Sequence, residues 1–331
     1  MANFLEILIK ASEKAANVAR SCCEHSNTEA LLVTEKSESE ANSRFDKDFK
    51  TIADVLAQEA AKSVIITYFP ELCNYVRGEE SSEIGGKTVR LQDDQEKTSE
   101  LLQSLLPVAT AQRMAAAAHG DIKCDISFPS GLPYIDTTNL GIWIDPIDGT
   151  AEFISGVKGD AKPGHGLSCV TVLIGAYLRS SGKPVVGVVN QAFYQHDKGH
   201  IIWGVSYNNV HVFSDVQMSV KDKIILMSGS EKPEVIEKFT SSGWLVKYLP
   251  GAGHKLMKVA LGTTFRWDTC APHAILLSKG GNVISYNNFE EITYNDEKDL
   301  DSKEYCNKNG IIAYLNGDIL IEIKNILNKN N

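Results

Sequence analysis

The sequence has no apolar run that approaches the roughly 18–20 residues required to cross a bilayer. Glu6 and Lys10 interrupt its first apolar segment too early for the core of a signal peptide. It also lacks an excess of cations: 33 Lys and Arg face 42 Asp and Glu, a formal net charge of −9 at pH 7. This balance argues against nucleic acid or an anionic membrane as a partner, because both bind to cationic surfaces. A small anionic substrate remains compatible if metal ions reverse the local charge.

Cysteine motifs are missing as well. The seven cysteines are odd in number and scattered, without a CxxC pair: Cys22, Cys23, Cys73, Cys124, Cys169, Cys270 and Cys306. This pattern favours reduced thiols over a disulfide framework or a cysteine-based zinc site. We therefore expect a cytoplasmic protein.

The first half of the chain is dominated by predicted helices. The 331 residues, 43% of them hydrophobic, suffice for about two domains of roughly 100–200 residues, and we predict two closely packed lobes, 1–190 and 191–331. Apolar periodicity predicts helices over 3–23, from Thr51 to just before Pro70, and over 97–118. The charge-mixed run over 35–40 is typical of a solvated loop.

Strand signals follow in the middle of the chain. A buried strand is predicted over 140–144, and further signals indicate hairpin-linked strands over 167–176, 184–189, 200–206 and 210–213. From about residue 222 strands and helices alternate, which indicates an α/β lobe. Its predicted strands are 223–227 and 244–249, and its predicted helices are 233–241, 255–261 and 271–278.

The segment Trp143-Ile144-Asp145-Pro146-Ile147-Asp148-Gly149-Thr150 is the most informative of the chain. A buried strand delivers Asp145 to its end, and Pro146 forces the chain out of the strand ladder. That turn can leave the Ile147 carbonyl free, with Asp148 close behind. Gly149 and Thr150 then open a helix whose unpaired amides and positive dipole end suit a phosphate. The alternative is an aspartate-capped helix after a proline turn.

Other acidic residues have ordinary explanations when each is taken alone. Glu79 and Glu80 could form a solvated acidic loop. Asp54 ends the sequence Thr51-Ile52-Ala53-Asp54, which matches a helix capping box. Asp268, in Trp267-Asp268-Thr269-Cys270-Ala271-Pro272, could cap a helix that has proline in its first turn.

A weak glycine loop, Gly251-Ala252-Gly253-His254-Lys255, also precedes a predicted helix. Its lysine lies in the first helical turn, where a cation is unfavourable for the helix dipole. The placement becomes tolerable if an anion binds there.

Taken together, the acidic residues suggest a metal centre. If they converge, they cannot all ionise without repelling one another, and hard divalent cations would resolve this. Oxygen ligands point to Mg²⁺ rather than zinc. The candidate ligands are Asp54, Glu79, Glu80, Asp145, Asp148 and Asp268.

At these residues the chain resembles the lithium-sensitive, magnesium-dependent phosphatase superfamily of inositol monophosphatase and fructose-1,6-bisphosphatase. The signatures are Gly78-Glu79-Glu80, Asp145–Thr150 and Trp267–Pro272. The resemblance covers nearly the whole chain, and it also extends through 12–17, 48–51, 166–171, 187–191, 267–276 and 310–314. It implies a layered α/β/α/β/α sandwich. It also implies an enzyme that removes the 1-phosphate from inositol 1,4-bisphosphate and inositol 1,3,4-trisphosphate, is inhibited by lithium, and acts as a monomer.

The resemblance further implies two or three Mg²⁺ ions in each site. Glu79, Asp145 and the Ile147 carbonyl would hold the first ion. Asp145, Asp148 and Asp268 would hold the second, while Asp54 with Glu79 or Glu80 would hold a looser third.

The same resemblance implies roles in catalysis and substrate binding. Thr150, hydrogen-bonded toward Asp54, would orient the attacking water and help to deprotonate it. The Gly149 and Thr150 amides would hold the scissile phosphate beside Asp148 and Asp268. The inositol ring and its second phosphate would contact Ser230, Lys232, Gly251, Ala252 and Lys255.

One departure from the family pattern concerns the twelve residues between Lys255 and Asp268. Members usually have a longer segment there, with an extra strand. A helix over 255–261 would advance roughly 10 Å, and six further residues could return at most about 20 Å. We therefore expect the connection to close without the full strand.

Two other functions stay open at this point. A 3′(2′),5′-bisphosphate nucleotidase shares all three metal motifs, although no apolar slot for adenine is evident in the sequence. A non-catalytic inositol-phosphate-binding protein could have the same fold, but it would not need Thr150.

Overall fold

The computed structural model describes residues 3–23, 31–37, 40–41, 48–122, 126–195, 198–214, 223–227, 231–256, 260–262, 264–295 and 302–328. These residues form nine α-helices and fifteen strands. The helices are α1 (Phe4–Ser21), α2 (Ile52–Tyr68), α3 (Gln95–Gln103), α4 (Val108–His119), α5 (Thr150–Lys158), α6 (Pro233–Ser241), α7 (Ala252–Leu256), α8 (Arg266–Ser278) and α9 (Gly317–Leu327). The strands are β1 (Thr34–Glu35), β2 (Phe49–Lys50), β3 (Val76–Gly78), β4 (Glu83–Ile84), β5 (Lys87–Thr88), β6 (Leu140–Asp148), β7 (Thr171–Leu178), β8 (Pro184–Gln195), β9 (Lys198–Tyr207), β10 (Val210–Phe213), β11 (Ile224–Met227), β12 (Leu245–Tyr248), β13 (Ala260–Gly262), β14 (Asn282–Ser285) and β15 (Ile311–Tyr314).

A six-stranded sheet in the order β10-β9-β8-β7-β6-β3 forms the larger lobe. Its strands are antiparallel except for β3, which runs parallel to β6. Helices α1 and α2 pack together on one face of this sheet, against β8 and β6 respectively. The predicted helix over 3–23 is confirmed, because α1 buries an apolar face with Leu5, Leu8 and Ala15 at 0% exposure.

A second sheet, of five strands, has the order β12-β11-β13-β15-β14. Helix α8 lies between the two sheets: Ala271 and Ile275 pack on the first sheet, and Leu276 packs toward the second. Helices α6 and α9 cover the outer face of the second sheet, around Phe239 and Ile323. The layers therefore run helix, sheet, helix, sheet, helix, which confirms the predicted α/β/α/β/α sandwich.

Three glycines on adjacent strands allow α8 to approach the first sheet closely. Gly175, Gly187 and Gly204 are direct cross-strand partners on β7, β8 and β9. A Cβ atom on Gly187 would lie 2.0 Å from the Ala271 carbonyl oxygen, and one on Gly175 would lie 2.5 Å from the Ala271 nitrogen. This row of three glycines therefore determines how closely α8 approaches the first sheet.

Gly187→Ala should destabilise the protein by about 1–3 kcal/mol, because the added methyl overlaps the α8 main chain. Gly317→Ala is the matched control: its Cβ would meet nothing within 4 Å at the start of α9, where alanine favours the helix. Urea unfolding of both variants measures the difference. Equal stability of the two would contradict the packing argument.

The prediction of one helix over 97–118 was wrong. Helix α3 ends at Gln103 and α4 begins at Val108, with Pro107 as its N-cap residue. Proline lacks an N–H group and disfavours helical geometry in the residue before it, so the helix is broken at this point.

The prediction of a helix over 255–261 was also wrong. Helix α7 ends at Leu256, and β13 pairs with β15 through Ala260 and Ala313 and with β11 through Leu226. Pairing within the sheet overrides the local helical pattern. The expectation that the short connection lacks a full strand stays a prediction, because β13 is described over three residues and residues 257–259 and 263 lie outside the described part of the chain.

Several strand boundaries differ from the predictions, and the predicted strand 184–189 continues to Gln195 as β8. The predicted strand 140–144 continues to Asp148 as β6, and the first residues of the predicted strand 167–176 form a 3₁₀ helix, Gly166–Cys169, before β7 begins. The division into lobes 1–190 and 191–331 remains a prediction; β8 crosses this position, and the first sheet continues to Phe213.

Candidate active site

Two neighbouring strands bring the first acidic residues together. All nine residues of β6 are buried, and Gly78 of β3 pairs with Ile144 of β6. The Glu79 N–H then donates to the Ile144 carbonyl at 3.0 Å. Glu79 and Asp145 therefore leave adjacent parallel strands at the same end of the sheet.

A β-bulge places the next carboxylate. Asp145 pairs with Leu173 and Asp148 with Thr171, so β6 has one more residue than β7 across this interval. Pro146 lies in the bulge, where no ladder N–H is required. The prediction that Pro146 forces the chain out of the ladder was wrong, because β6 continues through the bulge to Asp148. Within the bulge the Ile147 N–H donates to Asp145 Oδ1 at 3.2 Å.

The carboxylate of Asp148 is fixed by another part of the chain. Its Oδ1 accepts from the Ala252 N–H at 2.9 Å, and its Oδ2 accepts from the Gly253 N–H at 2.8 Å and from Thr171 Oγ1 at 2.9 Å. Asp148 therefore does not cap the helix that follows it. The N-cap residue of α5 is Gly149, at φ +90°, and it makes no side-chain capping bond, which contradicts the alternative of an aspartate-capped helix.

Asp268 enters the site from the N-terminal turn of α8, where its Oδ2 accepts from the Phe265 N–H at 2.7 Å. One carboxylate oxygen from each of Asp145, Asp148 and Asp268 lies within 4.8 Å of the others. The predicted convergence of these three aspartates is confirmed. The predicted helix start at 271 was wrong: α8 begins at Arg266, so Asp268 caps from within the first turn and Pro272 lies inside the helix.

Asp54 also combines a capping bond with a contact in the site. Its Oδ2 accepts from the Thr51 N–H at 2.8 Å, which completes the predicted capping box. Its Oδ1 accepts from Thr150 Oγ1 at 3.0 Å. Thr150 Oγ1 also lies 3.3 Å from the Ile147 carbonyl oxygen, so this hydroxyl connects α2, the bulge and the start of α5.

A buried lysine, Lys36, contacts both Glu79 and Glu80, and the sequence analysis did not identify it. Lys36 Nζ lies 2.6 Å from Glu79 Oε1 and 2.8 Å from Glu80 Oε1, and the Lys36 side chain is 3% exposed. The predictions of a solvated loop at residue 36 and at Glu80 were therefore wrong. The pairing of β1 with β2 carries Lys36 inward, and its charge offsets that of the two carboxylates.

Burial and mutual repulsion shift the pKa values of these acids upward. Burial, reinforced by the charges of Asp148 and Glu79, raises the pKa of Asp268 to about 8. Burial also raises the pKa of Asp145 well above its ordinary value, with Glu79 as the next cause. The pKa of Asp54 rises to about 6, mainly through burial, although its bond with Thr51 opposes the shift. A cation would relieve this accumulated negative charge.

Without metal, the raised pKa of Asp268 should make stability depend on pH. The folded state then binds more protons than the unfolded state between about pH 4 and about pH 8, so stability falls as the pH rises through this window. In chelator, the melting temperature of the wild type should fall more steeply across this range than that of Asp268→Asn. Parallel profiles would contradict the assigned pKa shift.

The predicted substrate loops lie at one edge of the second sheet. β11 and β12 are parallel, and the segments that follow their carboxyl ends carry Lys232 and Gly251–Lys255. Lys232 is exposed at the N-cap of α6. Lys255 is half-buried and close enough to lower the pKa of Asp148, against the larger effect of burial. Ser230 lies outside the described residues.

Sequence reasoning also missed three uncharged residues that support the carboxylates. Thr171 and Gly253 hold Asp148, and Gln58 hydrogen-bonds the main chain of Glu80. Gly253 lies in the glycine loop noted above, Thr171 ends the resembling segment 166–171, and Gln58 follows Asp54 by one helical turn, but none of these features indicates the hydrogen bonds that the three residues make.

Comparisons with known proteins agree with this geometry. A family model described as the inositol monophosphatase family matches residues 1–316. Inositol polyphosphate 1-phosphatase from Mus musculus is 35% identical over 95% of this chain and 94% of its own length. A 3′(2′),5′-bisphosphate nucleotidase 1 from Mus musculus is 28% identical over 56% of this chain and 61% of its own length.

Solved structures show the same fold at low sequence identity. The extragenic suppressor protein suhB from Bartonella henselae has a TM-score of 0.57 at 16% identity, with all of both chains covered. An IMPase/NADP phosphatase complexed with Mg²⁺ and phosphate has a TM-score of 0.52 at 15% identity, and the match covers 90% of this chain and 87% of that one. The extent of the family match and the identity to the mouse phosphatase together show that this chain belongs to the inositol monophosphatase family.

Proposed function

We propose that this chain is a Mg²⁺-dependent phosphomonoesterase that removes the 1-phosphate from inositol 1,4-bisphosphate and inositol 1,3,4-trisphosphate. The observation that carries the proposal is the cluster of Asp145, Asp148 and Asp268 oxygens beside the first turn of α5. The chain is a phosphatase of its family, and the substrate class follows the name of its relatives at about 35% identity over 95% of the chain.

The donor set fits Mg²⁺, since carboxylate and carbonyl oxygens are its preferred protein ligands. Glu79, Asp145 and the Ile147 carbonyl would hold one ion, and Asp145, Asp148 and Asp268 a second. When bound, Mg²⁺ offsets the charge of a phosphate monoester and lowers the pKa of a neighbouring water.

A third, looser ion would lie between Asp54 and Glu79 or Glu80. The Lys36 ammonium already contacts both glutamates. A third ion would therefore have to displace this lysine or share the carboxylates with it.

Thr150 and Asp54 provide a route for a proton. Because the Thr150 hydroxyl donates to Asp54 Oδ1 at 3.0 Å, its lone pairs are free to accept a hydrogen bond from an attacking water. The buried Asp54 carboxylate, whose pKa rises to about 6, is poised to accept a proton near neutral pH. The Gly149 and Thr150 amides open α5 and suit the scissile phosphate.

Lys255→Ala should reduce the preference for a bisphosphate over a monophosphate. Lys255 is the half-buried cation beside Asp148, and loss of a charge-assisted contact costs about 1–3 kcal/mol, roughly tenfold to a hundredfold in specificity. The measurement compares kcat/KM for inositol 1,4-bisphosphate and inositol 1-phosphate. The same two values of kcat/KM are measured for Lys232→Ala, which removes the exposed lysine.

Adenosine 3′,5′-bisphosphate is the substrate that separates the two enzyme functions. The nucleotidase relatives are more distant, and the mouse match covers 56% of the chain. Faster hydrolysis of the nucleotide than of either inositol ester would refute the inositol assignment. A pure binding protein would turn over none of the three with Mg²⁺.

The location of the protein in the cell, its oligomeric state and its inhibition by lithium remain proposals. No described helix is long and apolar enough to span a membrane. We expect a cytoplasmic monomer, and we expect lithium to inhibit it, an expectation that rests on family resemblance alone.

A further inference from the structure

Helix α2 carries two buried polar side chains one turn apart. Asp54 contacts Thr150, as described above, and Gln58 follows four residues later on the same face of the helix. The Gln58 side chain is fully buried. Its amide lies against the main chain of Glu80.

The Gln58 amide makes both hydrogen bonds that a neighbouring strand would make. Its Nε2 donates to the Glu80 carbonyl at 2.6 Å, and its Oε1 accepts from the Glu80 N–H at 3.0 Å. The preceding N–H, that of Glu79, donates to Ile144 of β6. The amide therefore pairs with the second residue after the end of β3 and satisfies main-chain groups that would otherwise be buried without partners.

Gly78 is sterically tied to this contact. A Cβ atom at this position would lie 1.8 Å from Gln58 Oε1. A side chain at this position would therefore displace the Gln58 amide from the main chain of Glu80. The two residues form a single packing unit.

We propose that Gln58 is a positioning residue for metal binding, which holds the main chain of Glu79 and Glu80 in register with Asp54. The proposal rests on the proposed function, because it takes these carboxylates as Mg²⁺ ligands. If the amide is lost, the buried Glu80 N–H and carbonyl lose their partner, and the segment can satisfy them only by moving. Movement would separate Glu79 from Asp145, with which it would share an ion.

The test replaces Gln58 with methionine, which has a similar length but cannot make either hydrogen bond. Mg²⁺ binding is measured by titration calorimetry without substrate, and the Mg²⁺ concentration for half-maximal activity is measured in parallel. Loss of such supporting contacts typically weakens metal binding about 10–100-fold, so we expect a shift of this size in both readouts. Turnover at saturating Mg²⁺ should largely recover.

A matched control is Asn190→Leu. Asn190 is another fully buried amide, and its Nδ2 donates to Glu13 Oε2 at 2.8 Å under α1. This variant should lose stability without a change in Mg²⁺ affinity. If Gln58→Met shows the same pattern, a lower melting temperature with unchanged Mg²⁺ affinity, the positioning role is refuted.

If Gln58→Met does not fold, Gly78→Ala replaces it, because the added methyl would displace the amide without removing it. Gly78→Ala should weaken Mg²⁺ binding, whereas Gly317→Ala, whose Cβ would meet nothing within 4 Å, should not. An unchanged Mg²⁺ affinity of Gly78→Ala would refute the proposal. A wild type that binds Mg²⁺ but hydrolyses no phosphomonoester refutes the proposed function alone, whereas an active wild type with unaffected variants refutes the role of Gln58 alone.

Discussion

Asp145→Asn should abolish turnover and at the same time raise the melting temperature of the metal-free protein. Asp145 is 1% exposed, and burial followed by the charges of Glu79, Asp148 and Asp268 raises its pKa well above its ordinary value. The amide replaces a carboxyl group that the metal-free fold must either protonate or bury as a charge among like charges. It also removes a ligand that both main Mg²⁺ ions would share.

The expected loss in kcat is at least about 10³-fold, since each 1.36 kcal/mol of lost transition-state stabilisation is tenfold and metal ions supply several kcal/mol. The melting temperature in chelator should rise by a few degrees at about pH 8, because roughly 1 kcal/mol corresponds to about 2–4 °C. Asp160→Asn, at an exposed site after α5, should change neither quantity. An Asp145→Asn variant that is inactive because it is less stable would contradict this account.

Thr150→Ala should fold normally and lose about 10²–10⁴-fold in kcat, the usual contribution of general-base assistance. The Thr150 hydroxyl bonds Asp54 Oδ1, but the main-chain amide that suits the phosphate is unchanged in the variant. KM should therefore change much less than kcat.

Thr150→Ser retains the hydroxyl and should retain most of the activity. A loss below tenfold in Thr150→Ala would remove this residue from the proposed role. Asp54→Asn should resemble Thr150→Ala in kinetics. If it chiefly lowers the melting temperature instead, its capping bond with Thr51 is the more important of its two contacts.

The layered fold was implied by the family resemblance, whereas the convergence of Asp145, Asp148 and Asp268 was predictable because each aspartate lies near a strand end or a helix start with a local signature. Apolar strands and helix starts are short-range features of the sequence. Pro107 is itself a local signal for a helix break, but the apolar periodicity on either side of it favours a continuous helix.

Lys36, Gln58 and β13 could not be predicted in this way. Lys36 contacts glutamates that lie 43 and 44 positions later, and its local sequence is that of a solvated loop. Gln58 hydrogen-bonds the main chain of Glu80, in a different segment of the chain. Strand β13 is stabilised by its pairing with β11 on one side and β15 on the other. Each depends on contacts that form only once the tertiary structure is complete.

The row of Gly175, Gly187 and Gly204 has a consequence for mutational tolerance. Ala271 of α8 contacts two of these glycines one turn after Asp268, so a side chain added to any member of the row would lift the helix and displace that carboxylate. None of the three has a side chain that could bind a metal ion or a substrate. A screen for inactive variants should therefore recover substitutions of Gly175, Gly187 and Gly204, in the middle of the sheet, as well as substitutions of the acidic residues.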